Sequence, residues 1–72
     1  MSQQPSLTGK QVISLLKKKD FLPIRQKGSH VFMRHPDGRA TVVPVHSGET
    51  IGPGLLSKIL TDVELTKEEL LS

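Results

Sequence analysis

Apolar and polar positions alternate along this chain with two different periods, and each change of period marks an element. From Thr8 onward, Val12, Ile13, Leu15 and Leu16 fall on one side of a helical repeat, while Lys10, Lys17, Lys18 and Lys19 carry charge. Thr8 and Gln11 have capping-box spacing, with Leu7 and Val12 as the hydrophobic staple, so a helix is predicted to open at Thr8 and close at Asp20. Phe21 is expected to fold back onto the core. The period then drops to two. Residues 22–26 predict a first strand with Leu22 and Ile24 on one face, and Pro23, which cannot donate to a ladder, marks an edge or a strand start. Residues 30–34 and 40–45 predict two more strands, separated by the turn chemistry of His35-Pro36-Asp37-Gly38. After a glycine-containing loop at 46–54, Leu55, Leu56, Ile59 and Leu60 predict a second helix over 54–60. Thr66 and Glu69 repeat the capping-box spacing, with Leu65 and Leu70 as staple, and predict a short last helix.

This order gives an α+β fold, with a three-stranded antiparallel sheet and both main helices on one face. Val31 and Met33 are expected to point at the helices, leaving His30, Phe32 and Arg34 on the uncovered face. Residues 1–6 are read as a disordered lead, and 7–72 as a single domain.

Composition narrows the function classes. Of the 72 residues 35% are hydrophobic and none is cysteine, which removes disulfides and thiolate metal sites. No run approaches the roughly 20 apolar residues that span a bilayer, and the polar start lacks a signal-peptide core. A cytoplasmic protein with no membrane association is expected. The net charge of +3 is unevenly placed: residues 1–48 carry eight basic and two acidic side chains, whereas 49–72 carry two basic and five acidic. A basic body favours a polyanion, and nucleic acid is the usual one.

The histidines form no HxH or HExxH ligand pattern, and Asp37 and Glu49 sit in loops without ligand spacing, so neither a metal nor any other cofactor is expected. Ser29 precedes His30 directly, and strand neighbours point to opposite faces, which rules out a nucleophilic pair between them. Acid–base chemistry by histidine remains. RNA carries its own nucleophile, the 2′-hydroxyl, so a minimal ribonuclease needs a base, an acid and cations around the phosphorane. His30 suits a proton-transfer role, Arg25, Lys27 and Arg34 lie on or beside the same strands, and Phe32 is placed to stack a base. His46, at the end of the third strand, is an accessory candidate. Lys18, in the lysine cluster, is a candidate for backbone-phosphate attraction.

The run from Arg25 through Gly28-Ser29-His30 to His35-Pro36-Asp37-Gly38-Arg39 closely resembles the HicA toxin family. Val43-Pro44-Val45-His46-Ser47-Gly48 and Gly54-Leu55-Leu56-Ser57-Lys58-Ile59-Leu60 continue the likeness in register, which spans about residues 9–71. The resemblance implies a toxin of a type II toxin–antitoxin system: an mRNA interferase, that is, a metal-independent endoribonuclease, held by a HicB-like antitoxin. It also implies a double-stranded-RNA-binding-domain-like α-β-β-β-α fold and places the family's catalytic histidine on His30. Arg25, Lys27, Ser29, Phe32, Arg34 and Lys18 are then the expected RNA contacts. Two positions depart from the family: Asp20 stands where a glycine is frequent, and Val63-Glu64 replaces a small-residue–glycine pair. Two other readings fit the same residues: an RNA-binding module without catalysis, and a protein-interaction domain whose basic face docks an acidic partner.

Overall fold

The computed structural model describes residues 6–72, so the expected lead falls, apart from Ser6, outside the described residues. The elements run α1 (Gly9–Lys17), β1 (Leu22–Lys27), β2 (His30–Arg34), β3 (Ala40–Pro44), α2 (Pro53–Val63) and α3 (Lys67–Leu71). The strands form one antiparallel sheet in the order β1-β2-β3. This is the α+β layout expected from the pattern, with a third short helix closing the chain.

Both predicted capping boxes form. The Thr8 hydroxyl accepts from the Gln11 N–H while the Gln11 side chain accepts from the Thr8 N–H, and Thr66 and Glu69 do the same at α3. Each satisfies two N–H groups that a helix start leaves without partners. The core joins Val12 and Leu16 of α1, Val31, Met33 and Val43 of the sheet, Leu56, Ile59 and Val63 of α2, and Phe21 and Leu70. α1 and α2 both pack on β3, and all six residues of β1 are exposed.

Three sequence expectations change. α2 begins at Pro53 and runs to Val63, past the expected end at Leu60. Proline suits the first helical position, and burial of Val63 draws the weak helix formers Thr61, Asp62 and Val63 into the last turn. Leu55 lies outside the core: the buried stripe is Leu56, Ile59 and Val63. Leu22 and Ile24 do not share a regular face: Leu22 opposes Arg34, whereas the pairing slips between Pro23 and Arg25 and leaves Ile24 as the extra residue of a bulge, and both are exposed.

Both main helices stop in the same way. Phe21 N–H bonds to the Leu16 carbonyl and Asp20 N–H to that of Lys17, while Leu65 N–H reaches Leu60 and Glu64 N–H reaches Thr61. These are two Schellman motifs, and each puts a non-glycine residue in the left-handed region: Asp20 at φ 71° and Glu64 at φ 58°. A left-handed non-glycine residue costs about 1–2 kcal/mol, partly offset by the entropy a glycine loses on folding. Glu64→Gly should therefore stabilise the protein by about 0.5–1 kcal/mol, read as a rise in melting temperature that Glu64→Ala does not share. Asp20→Gly should give less, since aspartate tolerates this conformation better. A lower melting temperature for Glu64→Gly would sink the idea.

Candidate active site and nucleic-acid interface

The bulge at Ile24 decides what the open face carries. In uninterrupted alternation Leu22, Ile24 and Gln26 would share a face, with Arg25 and Lys27 on the other. The extra residue reverses the phase after Pro23, so the observed pairs are Leu22 with Arg34, Arg25 with Phe32 and Lys27 with His30. Directly opposed residues share a face. Arg25 and Lys27 therefore join His30, Phe32 and Arg34 on the side away from the helices, while Val31 and Met33 are buried beneath.

The turn Gly28-Ser29 joins Lys27 to His30 in two residues, with positive φ on Gly28 alone, the signature of a type II′ hairpin. It sets His30 as the first residue of β2, flanked by Lys27 on one side and Pro44 on the other. His30 is exposed, and among the described residues its side chain makes no hydrogen bond. The Arg25 guanidinium lies 4.7 Å from the centroid of the half-buried Phe32 ring, a cation–π contact that stiffens a cationic, stacking-competent patch. Arg34 is exposed at the far end of the same strand.

The other sequence candidates lie elsewhere. Lys18 is the C-cap of α1, in the helical layer, and does not join this face. Ser29 occupies the hairpin turn and its hydroxyl lies 3.5 Å from His46 Nε2. The third histidine serves structure: His35 meets the Phe21 ring edge-on at 5.0 Å. His35 Nδ1 is 3.0 Å from both the Asp37 N–H and the Asp37 carboxylate, accepting from the first when neutral and donating to the second when protonated. Among the described residues no three histidine, aspartate or glutamate side chains group as metal ligands.

Sequence reading gave Arg39 no role, yet it ties the β2–β3 turn to the helices. Its Nε bonds the Asp37 carboxylate at 2.8 Å, its Nη1 donates to the Val63 carbonyl at 2.6 Å, and its guanidinium lies 5.1 Å from the Phe21 ring centroid. The Arg39 backbone N–H, and then its side chain, hold the Asp37 carboxyl below its usual range. α2 has no basic residue in its last turn, so a cation from outside is favourable at its negative end, though this does not single out Arg39.

The model of a family described as the HicA toxin of bacterial toxin–antitoxin systems matches residues 9–65, from the first residue of α1 to just past α2. The chain belongs to the HicA toxin family. No curated protein matches it. The match takes in the whole sheet and the open face, so His30 and its cationic neighbours lie inside the HicA region, and only α3 falls beyond it. A toxin of such a system is paired with an antitoxin. Among the described residues no helix is long and apolar enough to cross a membrane.

Proposed function

We propose that this HicA protein is a metal-independent endoribonuclease, an mRNA interferase, with His30 as its central catalytic residue. The observation that carries the reading is the placing of His30, exposed and without a side-chain hydrogen bond among the described residues, beside Lys27 on a face that also holds Arg25, Phe32 and Arg34. His30 takes the proton of the 2′-hydroxyl, and the 2′-oxygen attacks the adjacent phosphorus. Lys27, with Arg25 and Arg34 along the strand pair, balances the charge that gathers on the phosphorane oxygens. Phe32, backed by Arg25, offers a surface on which an unpaired base stacks. Ser29 adds a contact to the RNA backbone from the turn, and Lys18, in the helical layer, adds longer-range attraction for the polyanion. The products are a 2′,3′-cyclic phosphate and a 5′-hydroxyl.

In this reading the substrate is cytoplasmic message, and a HicB-like antitoxin silences the enzyme by covering the open face with an acidic surface that competes with RNA for Arg25, Lys27 and Arg34. The test is digestion of RNA by the purified protein in excess EDTA. Cleavage to cyclic-phosphate ends that persists under chelation is expected, and cleavage should fall as cognate antitoxin is titrated in. RNA that is bound but never cut would instead favour the non-catalytic binding module.

A further inference from the structure

A phosphodiester cleavage of this kind needs an acid as well as a base, because the departing 5′-oxygen must be protonated. The candidate is His46, and three separate features of the fold hold it in place. On the hairpin side, the Val45 N–H bonds to the Ser29 carbonyl at 2.6 Å, extending the β2–β3 ladder one step beyond Pro44. On the loop side, His46 opens a turn closed by the Glu49 N–H on the His46 carbonyl, with Gly48 at φ 76°. Beneath, the N-terminus of α1 presses on the same segment: a Cβ at Gly9 would run into the Pro44 carbonyl oxygen and come within 3.1 Å of Val45 Cα. The loop that follows is tied down as well, by the Ile51 N–H on the Leu7 carbonyl and the Thr8–Thr50 bridge.

β3 ends at Pro44 and its ladder at Val45, and alternation carried one residue further puts His46 on the side of Pro44, and hence of His30. It stands two residues beyond Pro44, roughly 7 Å along the strand direction. That span suits two groups flanking one phosphate. The nitrogen of the exposed His46 that lies 3.5 Å from the Ser29 hydroxyl is Nε2, so an Nε2–H there is already directed at an oxygen. Lys10 lines the recess beside His46 with Thr8, Ser47 and Gly48, adding a cation on the α1 side, as Lys27 does beside His30. Glu49 closes the turn from the loop.

We infer that His46, oriented by the Ser29 hydroxyl, is the second catalytic histidine and the general acid of the reaction. The inference rests on the ribonuclease reading above. As the P–O2′ bond forms, the O2′ proton passes to His30. As the P–O5′ bond breaks, the Nε2 proton of His46 passes to O5′. Ser29 is a positioning residue, and the leaving oxygen takes the place its hydroxyl holds in the free protein.

The test uses an RNA strand bearing the mapped cleavage site and an identical strand whose scissile 5′-oxygen is replaced by sulphur, since a thiolate leaves without protonation. Wild-type protein should cut both. His46→Ala should cut the oxygen strand about 100-fold or more slowly, within the range for loss of one proton-transfer group, and the sulphur strand at nearly the wild-type rate. A general acid must stay protonated, so the rate falls as pH rises past its titration. His46→Ala should lose that alkaline decline. Ser29→Ala should weaken cleavage of the oxygen strand more than that of the sulphur strand. If His46→Ala slows both strands equally while melting like the wild type, His46 serves structure or binding and the inference fails. If His46→Ala cuts the oxygen strand at the wild-type rate, it fails too. A wild-type protein that cuts neither strand overturns the ribonuclease reading itself, and this inference with it.

Discussion

Replacing His30 with alanine should abolish RNA cleavage and any growth arrest caused by the protein, and leave the fold in place. The two halves of that expectation come from the same geometry. His30 sits on the face that no helix covers, where it contributes nothing to the core and engages no side-chain partner among the described residues. Surface substitutions of this kind change stability by less than about 1 kcal/mol. Losing a proton-transfer group costs about 10²–10⁴-fold in rate. The variant should therefore melt within a few degrees of the wild type, still bind RNA through Arg25, Lys27 and Arg34, and show no cleavage above background. A variant that melts far earlier would mark His30 as structural, and an unchanged cutting rate would remove it from the mechanism.

Gly9→Ala should be the most destabilising single-methyl change in the protein. Alanine is ordinarily the best helix former, and at most exposed helical positions it stabilises relative to glycine. Here the sign reverses. Gly9 is the first residue of α1 and is buried against the end of β3, where the added methyl meets the Pro44 carbonyl oxygen, a backbone atom that cannot swing aside. Either the helix lifts or the strand end moves, and overpacking of this kind costs about 1–3 kcal/mol. In a domain this small that corresponds to a fall in melting temperature of roughly 10 °C. Displacement of Pro44 also carries His46 with it, so RNA cleavage by the folded fraction should drop as well. A Gly9→Ala protein as stable as the wild type would show that the helix and strand can separate at no cost.

Much of this architecture was legible in the sequence because its signals are local. The two capping boxes, the hairpin chemistry of residues 35–38 and the period-two alternation of 30–34 each sit within a few residues, and each formed as read. What escaped was non-local. The bulge at Ile24 is set by how β1 pairs with β2, and it alone decides that Arg25 and Lys27 face the same way as His30. Arg39 reaches Val63, 24 residues away in sequence, and no pattern in its own neighbourhood announces that contact. Gly9 offered a faint clue, a glycine at the start of an otherwise well-formed helix, whose meaning lies in what packs against it. At the site, sequence singled out His30 and Phe32 by alternation, but it could not separate Lys18, which stays with the helices, from Lys27, which the bulge brings to the open face.

The exposure of all six β1 residues has a consequence for how the molecule breathes. β2 is paired on both sides and buried beneath, whereas β1 is held by β2 alone, contains a proline that donates no hydrogen bond, and is interrupted by the bulge. Local opening free energies in a native protein range from near zero up to the global value, and a strand so weakly buried belongs at the low end. In native-state hydrogen exchange its amides would trade protons through detachment of β1 alone, with β2, β3 and the two main helices still closed. The cations Arg25 and Lys27 thus ride on the softest strand of the sheet and His30 on the stiffest. One margin of the face can yield to the contour of a ligand laid on it, while His30 stays fixed.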